Sequence, residues 1–386
     1  MYTRLLGLKL KQLVKKFPAV AIMGPRQSGK TTLAKTLFKN YNYVSLENFD
    51  DKTAAENDPR GFLENFSKGV ILDEIQKVPQ LFSYLQGIID QNKIPGKFIL
   101  TGSHNFLLHE KITQSLAGRV SIQRLLPLSI QELKKGKFVP RNWESLAFDG
   151  FYPFVHAHSV KPADFYNSYI QTYVERDIRS IKNVENLSDF QKFLKLCAGR
   201  VGQLLNLSSL ALDCGISHTT AKSWLNLLEA SFIVYLLRPH YKNFNKRLVK
   251  MPKLYFYDTG LLSFLLDLKN KEQLRTHFAH GGIFENFIIA EIVKSAFNRG
   301  ETANNLYFWR DNVGHEIDLI VEKPNGFLSV EIKASKTMNT VFFDNLKFWQ
   351  KITGEKSVNS MVIYGGEQSY KLKFGRQIGW NAWQGF

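Results

Sequence analysis

Apolar positions in this chain change period several times, and each change marks an element. At the start, Leu5, Leu6, Leu8, Leu10 and Leu13 interleave with Arg4, Lys9, Lys11, Lys15 and Lys16. That spacing predicts an amphipathic helix, either packed ahead of the first strand or lying on a membrane surface. It lacks the uninterrupted apolar core of a signal peptide, and no later apolar run is long enough to span a bilayer. "FPAVAIM" (17–23), the Val70–Leu72 run and "KFIL" (97–100) are short and continuous, as strands buried on both faces of a parallel sheet are. Helical spacing between them predicts a doubly wound α/β domain over residues 1–145.

The middle, 146–270, reads as helical. "GFYPFVH" (150–156) has the character of a linker with aromatic anchors. Tyr166, Ile170, Tyr173, Val174 and Ile178 trace one face of a helix over 164–181. There Glu175, Arg176 and Asp177 either reach toward a nucleotide or form a solvated face. Residues 206–237 have the form of a helix-turn-helix, with Gly215 in the turn and Ser217 capping the second helix. Ile216, Ala221, Leu225 and Leu228 face inward; His218, Thr219, Thr220, Lys222 and Ser223 face outward. Strands at 232–237 and 253–257 follow, as a wing would.

In the last third, 271–386, the period drops to two. Ile317, Leu319 and Val321 alternate with Glu316, Asp318 and Ile320; Leu328, Val330 and Ile332 alternate with Ser329, Glu331 and Lys333. Lys323-Pro324-Asn325-Gly326 is turn chemistry. If Glu322 pairs with Phe327, Asp318 falls opposite Glu331, and directly opposed residues share a face. Asp318, Glu331 and Lys333 then converge on the polar side of a hairpin whose other side is core. Glu285 lies near the start of the preceding helix. Asp318, Glu331 and Glu285 are candidate Mg²⁺ or Mn²⁺ ligands, with Lys333 orienting a hydrolytic water. The competing reading is a cross-strand salt-bridge ladder.

The first strand runs into Gly24-Pro25-Arg26-Gln27-Ser28-Gly29-Lys30-Thr31-Thr32, which fits G-x-x-x-x-G-K-[ST]. The glycines let backbone N–H groups turn onto phosphates, and the following helix adds its positive N-terminus. Lys30 is expected at the β and γ phosphates of ATP, and Thr31 at Mg²⁺. Asp73, ending the second apolar run, orients Mg²⁺, and Glu74 polarises the attacking water. Thr101 and Ser103 end the third run as a γ-phosphate sensor or as turn formers. Arg119, after Gly118, is an arginine finger for a neighbour's nucleotide, which requires a homo-oligomer, or a cation complementing a helix C-terminus.

Composition narrows the partners. Hydrophobic residues make up 44% of 386 and charged residues 22%, a globular rather than disordered balance. Net charge is +17, which favours a polyanion. Residues 231–253 hold Arg238, Lys242, Lys246, Arg247, Lys250 and Lys253 with Tyr241 and Phe244 interleaved, a pattern suited to DNA or RNA. The other reading is a winged helix that packs only on protein. Cys197 and Cys214 have no metal spacing and read as reduced residues of a cytoplasmic protein.

Together, "GPRQSGKTTL", "ILDEIQ", "TGS", "SLAGR", "YVERDI", "YFYDTGLLSFLL" and "EIDLIVE…VEIKAS" resemble a large prokaryotic family that joins an AAA-type P-loop ATPase to a C-terminal domain of unknown function. That domain is similar to PD-(D/E)XK nucleases, with a restriction-endonuclease-like α/β fold. The resemblance implies that Glu285, Asp318, Glu331 and Lys333 match the nuclease core. Two functions follow as expectations: an ATP-dependent DNA-processing enzyme that cleaves phosphodiesters, or an ATP-operated switch whose nuclease-like domain is only structural.

Overall fold

The computed structural model describes residues 2–103, 115–138, 140–174, 186–240 and 249–383. These residues form two compact units. The first comprises Met1–Leu128 with Ala230–Phe232 and Ala296–Glu301; the second comprises Ser129–Glu229, Ile233–Ser295 and Thr302–Phe386.

The first unit is built on an all-parallel sheet of β1 (Ala19–Met23), β2 (Asn42–Ser45), β3 (Val70–Asp73), β4 (Phe98–Gly102) and β5 (Val120–Arg124). The spatial order is β2-β3-β4-β1-β5. Every residue of β1, β3 and β4 is buried, which explains their unbroken apolar runs. The N-terminal segment forms the helix Leu6–Leu13, whose Leu6, Leu10 and Leu13 enter the core beside Val20, Ile22, Leu33 and Ile99. Its apolar face is therefore used inside the protein, and only Leu8 is left outward. Burying each such leucine stabilises by roughly 1.5–3 kcal/mol.

The second unit carries an eight-stranded mixed sheet in the order β12-β13-β11-β10-β9-β8-β6-β7. Its strands are β6 (Val234–Pro239), β7 (Lys253–Phe256), β8 (Leu306–Arg310), β9 (Glu316–Lys323), β10 (Gly326–Lys333), β11 (Ser360–Tyr364), β12 (Tyr370–Leu372) and β13 (Gly375–Gly379). β9 and β10 pair with Phe327 against Glu322 and Val330 against Leu319, the expected register, around the two residues Pro324 and Asn325. The hairpin departs from expectation in its burial. Both faces of its interior are covered, and Asp318 and Glu331 are buried rather than solvated.

The helix-turn-helix is present as Leu207–Cys214 and His218–Ala230, joined through Gly215. Asn206 caps the first helix and Ser217 Oγ accepts from Thr220 N at 3.0 Å to cap the second. Ala221, Leu225 and Leu228 point inward as expected, and Trp224 packs edge-on against Phe190 and Phe193. The following hairpin is antiparallel, but it is not free-standing: β6 also pairs with β8 (Arg238 opposite Tyr307) and so extends the C-terminal sheet. The segment read as a linker instead contains the helix Pro153–His158, and its anchors Phe151 and Tyr152 are buried. The helix expected over 164–181 is seen as Pro162–Tyr169 and a π-helical turn at Ile170–Val174. Its acidic-basic trio Glu175, Arg176 and Asp177 lies outside the described residues, as do Tyr241, Lys242, Phe244, Lys246 and Arg247.

Candidate functional site

Three strand ends of the first unit bring its candidate residues together. β1 delivers the loop 24–29, and the helix Lys30–Leu37 leaves it. Gly24 is required by contact: a Cβ there would lie 2.1 Å from the Leu125 carbonyl oxygen. Gly29 holds φ +93°, a conformation that other residues rarely adopt. Arg4 donates to Ser28 O and to Leu126 O, both at 2.6 Å, and so ties the loop down. The Lys30 ammonium is buried and donates to the carbonyls of Gly24 (3.0 Å) and Pro25 (2.9 Å). Pro25 is buried, Arg26 is half-buried and pairs with Glu47 at 3.5 Å, and Gln27 and Thr32 are exposed.

β3 presents Asp73 to this loop. Thr31 Oγ1 donates to its carboxylate (2.9 and 3.1 Å), Tyr43 OH donates at 2.8 Å, and Thr101 Oγ1 donates to the other oxygen. Burial and then the Asp73 carboxylate push the Tyr43 phenol up to about 12, so it remains a donor. Glu74 follows at φ +54°, a left-handed conformation costing about 1–2 kcal/mol for a non-glycine residue. Its Oε2 accepts from Ser103 Oγ (2.9 Å), Ser103 N (3.3 Å) and the Gln76 amide. Burial alone would raise its pKa; the Lys30 charge, these donors and Arg26 outweigh burial and hold it below the usual carboxylate range. Glu74 is thus an ionised carboxylate at neutral pH.

The structure brings together Lys30, Thr31, Asp73, Glu74, Thr101 and Ser103. Arg119 stands apart from them: its guanidinium makes a two-point pair with Asp90 (2.6 and 2.9 Å) and donates to Ala117 O. Thr101 and Ser103 are neither bare sensors nor simple turn formers, because each is bonded to one of the two acids. Sequence reasoning missed Arg4 and Tyr43, whose partners lie far along the chain. The donor set suits a nucleotide with Mg²⁺. A glycine-lined loop leads into a helix N-terminus, the ammonium sits beside it, and the Thr31 hydroxyl lies on the Asp73 carboxylate. The buried Ser28 Oγ in the same loop has no hydrogen-bond partner among the described residues, as fits a cradle for a polar group.

The acids of the second unit also converge, but on lysines. Glu331 Oε2 and Asp318 Oδ2 lie 2.5 and 3.2 Å from Lys333 Nζ, and Asp318 Oδ2 accepts from Ile332 N at 2.8 Å. On the other side Lys253, from β7, lies 2.8 Å from Glu285 and 3.9 Å from Asp318 and is paired with Glu316. Tyr255 OH donates to Glu285 at 2.5 Å. Burial would lower both lysines, yet the acids hold them above their ordinary range. Asp318 is held low against burial by Lys333, Lys253 and Ile332 N–H. Burial and the Asp318 charge push Glu331 well up. Among the described residues no three His, Cys, Asp or Glu side chains are grouped as a metal site. The expected ligands Glu285, Asp318 and Glu331 therefore meet, but around ammonium groups, and this donor set does not fit a divalent ion as it stands.

Lys253 is also a correction to the basic run. It is buried and ion-paired, so it cannot contact a phosphate. Arg238 and Lys250 of that run are exposed. Glu316, Lys253 and Tyr255 were not expected at this acid cluster from the sequence. Glu316 was within reach, two residues before Asp318 on the same strand face. Lys253 had one signal, a lone charge in "KLYFY", a run otherwise apolar enough to be buried.

The parallel sheet order, the phosphate loop and the paired acids define an AAA-type P-loop ATPase domain. Residues 16–134 match the family described as "AAA domain". Residues 140–272 and 280–383 match two families described as domains of unknown function, DUF8612 and DUF4143. The chain is 31% identical over 370 residues to the uncharacterized proteins Rv2008c of Mycobacterium tuberculosis and Mb2031c of Mycobacterium bovis, covering 94% of this chain and 80% of each relative. It belongs to the family of these two proteins.

Solved structures are similar over part of the chain. The Walker-type ATPase PABY2304 of Pyrococcus abyssi matches at 14% identity over 67% of this chain and 94% of its own, with TM-score 0.46. The RuvB Holliday junction branch migration motor of Thermotoga maritima matches at 17% identity over 60% and 88%, with TM-score 0.27. AMPPCP-bound DnaA from Aquifex aeolicus matches at 15% identity over 58% and 85%, with TM-score 0.29. Likenesses at these TM-scores carry no argument. Among the described residues no helix is long and apolar enough to cross a membrane.

Proposed function

We propose that this protein hydrolyses ATP at the Gly24–Thr31 loop and couples that turnover to binding DNA, in the cytoplasm. The observation that carries the reading is the acid pair of β3: Asp73 held by Thr31, Thr101 and Tyr43, and ionised Glu74 held by Ser103 and Gln76. Mg²⁺ bound there would offset charge developing on the phosphate oxygens. Lys30 exchanges loop carbonyls for the β and γ phosphates of ATP. Thr31 and Asp73 would hold Mg²⁺ there. Glu74 takes the proton of the attacking water, and Ser103 keeps its carboxylate aimed. Arg119, freed from Asp90, would supply charge to a neighbouring copy's nucleotide, which makes the working form a homo-oligomer.

DNA binding is supported by the net charge of +17 and by the helix His218–Ala230, which exposes His218, Thr219 and Lys222. The second reading, an ATP-operated switch whose nuclease-like domain is structural, is favoured over cleavage by the lysines on the C-terminal acids. No cleavage step is written for that site.

The test measures ATP turnover with and without duplex DNA, together with DNA affinity as a function of salt. Wild type is expected to turn over ATP faster with DNA. Lys30→Ala should abolish turnover and change DNA affinity in the presence of ATP. Lys222→Ala should weaken DNA binding and lower the salt slope by about one. If Lys30→Ala abolished turnover and left every DNA measurement unchanged, the coupling would be refuted.

A further inference from the structure

The second unit gathers four acidic side chains, Glu285, Glu316, Asp318 and Glu331, around two lysines. Left alone, buried acids this close together would be strongly destabilising if ionised, and the two lysines counter them. Lys333 comes from the same strand as Glu331 and touches Glu331 and Asp318. Lys253 comes from a different part of the chain. It is the first residue of β7, at one edge of the eight-stranded sheet, and reaches inward to Glu285, Glu316 and Asp318. Its aliphatic stem is buried and its ammonium lies among three carboxylates from two elements, the helix His280–Asn298 and β9. A divalent cation that used Glu285 and Asp318 would need the space and the charge balance that this ammonium already supplies. A second feature bears on what the cluster could hold once that ammonium is removed. Glu331 Oε1 is buried and has no hydrogen-bond partner among the described residues, so the cluster keeps one oxygen for which the chain provides no donor.

We propose that Lys253 is a resident cation that takes the place of a divalent metal, so that the C-terminal domain is a metal-free, non-cleaving module with a latent metal site beneath the ammonium. What opposes a divalent ion there is the chain's own positive charge, not a shortage of acids. Removing that charge while keeping the stem leaves four carboxylates and one lysine, a set suited to Mg²⁺ or Mn²⁺. This goes beyond the proposed ATPase function and does not rest on it, because the cluster belongs to the second unit and the phosphate loop to the first.

The experiment is a Mn²⁺ titration followed by electron paramagnetic resonance, without nucleotide, on full-length protein carrying Asp73→Asn to silence the first unit's acid. That background is expected to bind no Mn²⁺ tightly. Adding Lys253→Met should create one Mn²⁺ site per chain and a Mn²⁺-dependent rise in melting temperature. Adding Asp318→Asn as well should abolish both. If the Lys253→Met protein is unfolded without metal and recovers with Mn²⁺, the proposal is also supported. Three results would overturn it: a Mn²⁺ site in the Asp73→Asn background that Asp318→Asn removes; a folded Lys253→Met protein that binds no Mn²⁺; or a Lys253→Met protein that stays unfolded at every Mn²⁺ concentration. Nucleotide binding at the P-loop, measured in parallel on Lys253→Met with Asp73 intact, separates failure of this inference from failure of the ATPase reading.

Discussion

Glu74→Gln isolates the role of one charge. The amide is nearly isosteric, and its oxygen can still accept from the Ser103 hydroxyl, which lies 2.9 Å from the carboxylate. What is lost is the capacity to take a proton from water and the attraction to the buried Lys30 ammonium. A positioned general base contributes about 10²–10⁴-fold, or roughly 3–6 kcal/mol on the barrier at about 1.4 kcal/mol per tenfold. Turnover of ATP, followed by phosphate release, should therefore fall at least about a hundredfold, in the range a general base supplies. Affinity for a fluorescent ATP analogue should stay within about tenfold, because the Lys30, Thr31 and loop contacts remain. The pH response has a definite sign. The folded-state pKa of Glu74 is depressed, so its charge and the stability it contributes are present above the ordinary glutamate value, about 4.3, and are lost as pH falls through the lower folded value. Lowering pH from 8 to 6 should thus cost no turnover through Glu74. A Gln variant retaining a third or more of wild-type turnover would refute the assignment of Glu74 as the base.

Three other perturbations have predictable outcomes. Gly24→Ala puts a methyl group 2.1 Å from the Leu125 carbonyl oxygen, so nucleotide affinity should fall at least about tenfold; near-normal affinity in a fluorescence titration would contradict the packing described for the loop. Lys294→Met strips the partner from buried Glu291, which accepts from Lys294 Nζ at 2.9 Å and Ile130 N at 2.8 Å; urea unfolding should show a loss of about 3–5 kcal/mol, partly restored by adding Glu291→Gln, and a loss below about 1 kcal/mol would mean the pair is solvated. Arg119→Ala should lower turnover about tenfold or more while leaving nucleotide affinity and melting temperature nearly unchanged; unchanged turnover, with sedimentation showing a monomer, would remove the finger role.

The candidate sites were legible in unequal measure, for a physical reason. The phosphate loop and the β3 acids were readable because their chemistry is local. A glycine-rich turn between a buried strand and a helix admits few alternatives, and Lys30, Thr31, Asp73 and Glu74 are each fixed by neighbours in sequence or by the end of a strand. The register that sets Asp318 beside Glu331 was readable too. A two-residue turn and strict alternation leave one pairing that keeps the apolar residues on one face. By itself, then, the sequence determined the P-loop machine, the helix-turn-helix and the pairing of the C-terminal hairpin.

Tertiary structure decided what surrounds these parts. Alternation says that a face is polar but not whether water or protein covers it; here the polar face of β9 and β10 is covered. The ion pair between Lys253 and Glu285 joins residues 32 positions apart, and the apolar run that follows Lys253 hints at burial but not at which acids it meets. Its burial accompanies the pairing of β6 with β8, which makes the hairpin after the helix-turn-helix the edge of a larger sheet and brings the first residue of β7 to the acids. The pairing of Arg119 with Asp90 was equally invisible, because it depends on which helix end lies beside which strand end. Charges find partners through space, whereas hydrophobic periods are written along the chain, so the fold was more readable than the electrostatics it creates.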